Sequence, residues 1–464
     1  METMQAAGTV NAHFAEKQQF FDHGHSRSYG FRLAQLKILK KAVDTYEDQI
    51  CEATKTDLNK SSTETFMTEI GVVKSEIEHA MSNLREWMRP EQRPTPLSLH
   101  PSSSRIVYEP KGVVLIIGSF NFPFQLNIMP LIGAIAAGNC AVVKPSELAP
   151  ATAKVIERML SDFFAVSYIS TVQGEGHKVV PELLESHDFH HVFFTGSPAV
   201  GSSIAVQASR KLIPFTLELG GKSPGIVDAS AKLKVAAKRL VLAKFLNAGQ
   251  TCVAPDYLLV HESVKEAFVK EVMSTLKKFY GKDPASSKDY GRIINVRHFE
   301  RIKAYLDEGR IIHGGQYDAD TRYIAPTLME DVPRDASMMR EEIFGPIWPI
   351  FTWKEREEIL EYTRLNRYPL ACYIFTSSKA MEKYIVDSVE FGGGCINNAL
   401  LHVGNHDLPF GGVQSSGQGN YHGWHSFAAF SHAKGVMKTA TWFDIWLKYP
   451  PFSKFKLSWL KRLM

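Results

Sequence analysis

Cys252 closes the run Asn247-Ala-Gly-Gln-Thr-Cys252, a polar turn just past a helix-like segment. Structural cysteines usually sit in apolar surroundings, whereas a reactive thiolate needs polar or charged neighbours. Of the five cysteines, Cys51, Cys140, Cys372 and Cys395 lie in helix-like, strand-like or apolar contexts, so Cys252 is the best nucleophile candidate. Glu218, in Leu217-Glu-Leu-Gly-Gly221, is a single carboxylate in an apolar, glycine-rich setting. Burial would raise its pKa toward the range useful for a general base; an edge-exposed carboxylate beside a turn is the plainer alternative. Asn121, in Gly118-Ser-Phe-Asn-Phe-Pro123, offers an amide that could donate to an oxyanion, although an asparagine turn before proline is common in any loop.

Two further segments suit an anionic ligand. Lys144-Pro-Ser-Glu147 pairs a lysine with a carboxylate that could hold ribose hydroxyls, or simply starts a helix. Phe194-Thr-Gly-Ser-Pro-Ala-Val-Gly201 sets two glycines, Gly196 and Gly201, at the opening of a helix, where backbone N–H groups can meet phosphate. The spacing is not G-x-G-x-x-G, so the motif is weak alone. No G-x-S-x-G elbow and no H-E-x-x-H occurs. His23/His25 and His190/His191 lack metal-site spacing with a carboxylate, His422 and His425 could share a helical face but without that motif, and no catalytic metal is expected.

These residues follow short apolar runs that alternate with helical patterns. Strands are expected at 113–117, 141–143, 168–172, 191–194 and 224–227, and helices at 152–163 and 200–209. Alternation of this kind implies a doubly wound parallel sheet. Apolar residues at helical period predict helices over 31–46 and 69–87 ahead of it. A second α/β pattern follows, with a helix at 233–246 closed by Gly249, a strand at 257–260 and a helix at 264–279. Residues 112–143 carry no charge and could span a bilayer by length. Asn121, Pro123, Gln125, Asn127, Pro130 and Asn139 divide the stretch into strand, loop, helix and strand, as in a buried βαβ unit.

The 464 residues allow two or three domains. Net charge is +4, from 53 basic and 49 acidic residues, too thin an excess for a nucleic-acid partner. Five cysteines without a C-x-x-C pair give neither a disulfide framework nor a zinc ribbon, so a reducing compartment is the default. Residues 1–19 show no apolar secretory region, and the cytoplasm is the expected location.

Taken together and in order, the segments around Asn121, Lys144, Gly196, Glu218 and Cys252, with Glu342-Ile-Phe-Gly-Pro346 and Pro409-Phe-Gly-Gly412, resemble the aldehyde dehydrogenase superfamily. The likeness runs over roughly 31–438. A short N-terminus, Gly419-Asn-Tyr-His-Gly423 and a chain continuing past Ser431-His432 are similar to the class 3 branch of fatty and aromatic aldehyde dehydrogenases. The resemblance implies a Rossmann-like cofactor domain (1–89 and 112–217), an α/β catalytic domain (218–420) and a bridging or oligomerisation element (90–111 and 421–440). It implies that Cys252 attacks the aldehyde and that the Asn121 amide and the Cys252 N–H hold the oxyanion. Hydride then passes to nicotinamide, and Glu218 activates water against the thioester. Lys144 and Glu147 would hold the adenosine ribose, Gly196, Ser197 and Gly201 would border the pyrophosphate, and Glu342 and Phe344 would place the nicotinamide riboside. NAD is the implied cofactor, with NADP also accepted in the branch, and a homodimer the implied assembly. Ser119-Phe120 stand where many relatives have Pro-Trp, which could reshape the aldehyde funnel. Two alternatives are a CoA-acylating variant, which Glu218 disfavours, and a non-catalytic binding scaffold, against which Cys252, Glu218 and Asn121 together speak.

After Asp444 the chain has no acidic residue and carries Lys448, Lys454, Lys456, Lys461 and Arg462. Phe452, Phe455, Trp459, Leu460 and Leu463 could line one face of a helix. The segment 441–464 reads as a basic amphipathic tail, resting on a membrane surface or covering the substrate entrance or a dimer partner.

Overall fold

The computed structural model describes residues 13–463; the first part of the leader reading over 1–19 lies outside them. One six-stranded sheet is built from Val113–Ile117, Cys140–Lys144, Ile169–Thr171, His191–Thr195, Phe215–Glu218 and the short Gly417–Gln418. The first five are parallel and lie in the spatial order 3-2-1-4-5 of their chain order, the dinucleotide-binding topology. Gly417–Gln418 adds antiparallel at the outer edge, against Leu217 and Glu218, so a late segment of the chain returns to close this sheet.

Val113–Ile117, Cys140–Lys144 and His191–Thr195 are buried along their whole length, which is why they read as continuous apolar runs rather than alternating ones. The uncharged stretch 112–143 resolves into strand, loop, the buried helix Gln125–Ala137 and strand, within the core of the fold. Helices Tyr29–Leu58 and Gly71–Trp87 bury Leu36, Leu39, Val43, Ile77 and Leu84 and pack on each other and on helix Gln125–Ala137. The first runs a further dozen residues past the expected end, because Ile50, Ala53 and Leu58 continue its buried stripe. The expected helix over 69–87 is preceded by Ser62–Thr65 and a π-helical turn at Phe66–Ile70.

A seven-stranded sheet holds Arg310–His313, Thr327–Glu330, Ile347–Trp353, Tyr257–His261, Pro224–Val227, Ala371–Phe375 and Gly393–Ile396 in that order, parallel but for the first. A third sheet pairs Glu91–Arg93, Ser102–Pro110 and Ser431–Thr439 antiparallel. Among the described residues no helix is long and apolar enough to cross a membrane.

Candidate active site

Parallel register brings four strand ends to one edge of the first sheet. Ile117 lies opposite Lys144 and Phe194, and Thr195 opposite Glu218. Residues just beyond such ends form the ligand crevice of doubly wound sheets. A cavity of about 540 Å³ opens there, and its wall includes Asn121, Gly196, Ser197, Glu218, Cys252, Glu342 and Phe344. Lys144 and Glu147 stand apart, at the next strand end. Lys144 Nζ lies 2.6 Å from Glu147 Oε2, and Glu147 Oε1 accepts the Gly176 N–H at 2.8 Å. Burial would raise the Glu147 carboxyl, but Lys144 and the Gly176 N–H hold it below its usual range. Gly201 is not on the cavity wall. It is buried in helix Pro198–Arg210, where a Cβ would stand 2.6 Å from Leu219 Cδ2, so it serves helix-to-strand packing.

The turn before Cys252 is irregular. Helix Leu233–Phe245 stops, and Asn247 and Ala248 take φ of 51° and 50°, a region that costs a residue with a Cβ roughly 1–2 kcal/mol. Side chains hold it there. Asn247 donates from Nδ2 to the Asn121 carbonyl at 2.8 Å and from its backbone to Glu64 at 2.9 Å. Gln250 donates to the carbonyls of Asn247 and Arg292 at 3.1 and 2.9 Å and accepts the Ile294 N–H at 3.0 Å. Asn121 Nδ2 donates to the Gln250 carbonyl at 3.1 Å. The polar residues that make Cys252 conspicuous in the sequence are thus braces of the turn. They also lock the Asn121 loop and the Cys252 loop together.

Glycine spacing has a steric reason at two places. A Cβ on Gly220 would stand 1.9 Å from Glu342 Oε2, so this glycine leaves room for that carboxylate. Gly249 has φ of 78°, and a Cβ there would meet the Gly345 carbonyl at 2.3 Å. Three separate motifs therefore touch through their glycines.

Burial pushes the Cys252 thiol up, and the carboxyls of Glu342 and Glu218 push in the same direction. The backbone N–H groups of Cys252 and Val253 pull the other way. Burial also raises Glu218 well above the carboxylate range, and neither of its oxygens has a hydrogen-bond partner among the described residues. Glu342 is likewise raised by burial, reinforced by Asp256. Burial therefore shifts the thiol and both carboxyls in the same direction, a mutually consistent arrangement.

Sequence reading overlooked the residues that hold the Glu342 loop. Lys222 and Asp256 form a fully buried ion pair. Lys222 donates to the carbonyls of Met338 and Glu341 at 2.6 and 3.0 Å, and Asp256 accepts the Ile343 N–H at 3.1 Å. Arg301 donates to the carbonyls of Glu342 and Ile343 at 3.2 and 3.0 Å. Phe344, at φ of 49°, meets Phe120 edge-on at 5.8 Å. Phe120, the departure noted in the sequence, packs in turn on His298 at 5.2 Å and lines the cavity.

Residues 4–436 match the description "Aldehyde dehydrogenase family". The chain belongs to that family. A "4,4'-diaponeurosporen-aldehyde dehydrogenase" of Staphylococcus aureus is 45% identical, covering 96% of this chain and 98% of that protein. "Aldehyde dehydrogenase family 3 member H1" of Arabidopsis thaliana is 41% identical over 97% and 93%. The solved "Substrate bound state of Staphylococcus Aureus AldH" superposes with a TM-score of 0.94 at 44% identity, over 98% of this chain and 99% of that one. The class 3 resemblance and the fold both stand, and this aldehyde dehydrogenase is an NAD(P)-dependent enzyme that oxidises an aldehyde to the acid.

Proposed function

We propose that Cys252 is the nucleophile, Asn121 the oxyanion donor and Glu218 the base that hydrolyses the thioester. The observation that carries this reading is their convergence on one cavity wall, with the Asn121 loop and the Cys252 loop locked to each other. Cys252 adds to the aldehyde carbon, and the oxygen that gains charge is met by the second hydrogen of Asn121 Nδ2 and the Cys252 N–H. NAD(P), when bound, supplies the hydride acceptor. The thioester left on Cys252 is attacked by a water that Glu218 deprotonates from its buried position.

Three features fit the cofactor. Helix Pro198–Arg210 presents an exposed N-terminus capped by Ser197, suited to pyrophosphate. The Lys144–Glu147 pair suits ribose hydroxyls. A groove of about 810 Å³ between Gly176–Ser186 and Pro198–Arg210, lined by Pro181, Leu184 and Val206, suits an adenine ring. We assign 1–89 and 112–217 to cofactor binding, 218–420 to catalysis and 90–111 with 421–440 to subunit contact. Among the described residues no strand pairs with the outer edge of Ser431–Thr439, which supports a homodimer, since an unpaired edge is a template for another strand.

The substrate we propose is a medium- or long-chain aliphatic or aromatic aldehyde. A second cavity of about 270 Å³ is lined mostly by apolar residues, among them Phe66, Val72, Met129 and Val403. Helix Lys454–Leu463 and the segment before it expose Trp442, Phe443, Trp446, Phe452, Phe455 and Trp459 beside Lys448, Lys454, Lys461 and Arg462. This combination suits the surface of an anionic bilayer. The test is reduced-nicotinamide absorbance with NAD or NADP against aldehydes of graded length. Turnover should rise with chain length and vanish in Cys252→Ala; turnover surviving in that variant would refute the nucleophile. Deleting 452–464 should abolish cosedimentation with anionic vesicles, and unchanged cosedimentation would refute the membrane reading.

A further inference from the structure

We infer that the buried ion pair Lys60–Glu69 is a positioning device for the oxyanion amide of Asn121, an inference that rests on the role given to Asn121 above. Lys60 Nζ lies 2.7 Å from Glu69 Oε1, and both side chains are fully buried. The same ammonium donates to the Asn121 carbonyl at 2.9 Å and sits 4.1 Å from the centre of the Phe122 ring. The other carboxylate oxygen, Glu69 Oε2, accepts the N–H groups of Phe124 and Gln125 at 2.8 and 3.0 Å.

Helix Gln125–Ala137 has no capping side chain of its own, so Glu69 supplies the cap from a distant part of the chain. A carboxylate there also meets the positive end of the helix. One pair thus grips the loop on both sides of Phe122: Lys60 holds its start at Asn121, and Glu69 holds its end at Phe124 and Gln125. Glu69 reaches this position from the π-helical turn Phe66–Ile70, a distortion that recurs at functional sites. Burying two charges is costly, and hydrophobic packing would hold a scaffold as well. Spending a buried pair on this loop makes sense when the orientation of one amide matters.

The test compares two reactions of Cys252 in the full chain. Acylation by p-nitrophenyl acetate forms the S–acyl bond and expels p-nitrophenolate through a tetrahedral oxyanion. Alkylation by iodoacetamide forms an S–C bond and expels iodide with no oxyanion. Both need the thiolate, so their ratio reports the oxyanion hole alone. Asn121→Ala should lower the ratio on the order of 10²- to 10³-fold. Lys60→Arg keeps the buried charges balanced but displaces the donor, and Lys60→Met/Glu69→Gln removes both charges. Each should lower the ratio by about tenfold or more. Combined with Asn121→Ala, neither should lower it further. If Asn121→Ala lowers the ratio and the Lys60 variants do not, the positioning role is refuted and the Asn121 reading stands. If the Lys60 variants slow acylation and alkylation in parallel, the pair is a general scaffold and the inference also fails. An unchanged ratio in Asn121→Ala removes the oxyanion reading and the inference together.

Discussion

Glu218→Gln keeps the size and polarity of the side chain but removes the base. Glu218 is buried at the end of strand Phe215–Glu218, and its oxygens have no partner among the described residues to replace if the charge is lost. The substitution should therefore leave the cavity wall in place. A general base contributes roughly 10²- to 10⁴-fold. At 1.36 kcal/mol per decade, this is about 2.7 to 5.4 kcal/mol of barrier. The loss should fall on one step only. Rapid mixing should show a burst of reduced nicotinamide close to the concentration of sites, followed by a steady rate lowered by that factor. The wild type should show its hydrolytic limb rising with pH, because the raised Glu218 carboxyl must ionise before it can accept a proton. Glu218→Gln should lose that limb. Stability should move oppositely. The folded state holds a proton that the unfolded chain releases above about pH 4.3, so the wild type loses stability relative to Glu218→Gln as pH rises from there toward the raised value. A variant whose burst and steady rate fall equally would show that Glu218 acts before the thioester, and the assignment would be wrong.

The Lys222–Asp256 pair should behave differently from an exposed pair. Asp256→Asn leaves Lys222 buried without its counter-charge, which costs about 3–5 kcal/mol, while the amide oxygen can still accept the Ile343 N–H; a thermal melt should drop, and KM for the cofactor should rise more than kcat falls. Glu147→Gln should cost less stability than Asp256→Asn, since Glu147 is about one-third exposed, although the buried Lys144 loses its counter-charge. The melt should fall by a smaller margin while KM for NAD(P) rises, and acylation of Cys252 without cofactor should be unaffected. The Glu76–His406 pair sets a pH window for stability, with Nδ1 2.5 Å from Oε2. Burial opposes ionisation of Glu76, but the adjacent His406 imidazole holds it below its ordinary value, and the carboxylate raises His406 in return. The pair's contribution is therefore complete between about pH 4.3 and 6.5, falls at lower pH with Glu76 and at higher pH with His406. His406→Gln should lower the melt inside that window and remove the fall on its acid and alkaline flanks, and an unchanged pH profile would show that the pair carries no net stability.

Sequence legibility followed the range of the forces involved. The strands Val113–Ile117 and His191–Thr195 were readable because burial on both faces imposes an unbroken apolar run, a local signal. The Cys252 turn was readable because packing alone seldom places asparagine, glutamine and threonine around a cysteine. The reason for those residues was not readable: Asn247 and Gln250 reach backbone groups and brace the turn, and only the fold shows which carbonyls they meet. Gly201 reads as part of a phosphate cradle because a glycine at a helix start can serve either close packing or an anion; the approach of Leu219 adds a packing reason that only the fold shows. Lys60, Glu69 and Asp256 gave no signal at all. Each is a common charged residue in an ordinary helical or loop context, and each acquires meaning only through a partner far along the chain. A buried charge is conspicuous in three dimensions for the reason that hides it in one: the cost of desolvation is set by the neighbours, which the local sequence does not name. The groups that touch substrate are therefore easier to find by motif than the groups that aim them. The aiming groups are also where relatives sharing the same cysteine, glutamate and asparagine can diverge in rate, because a shift of about 1 Å in one amide is worth as much as 10²-fold.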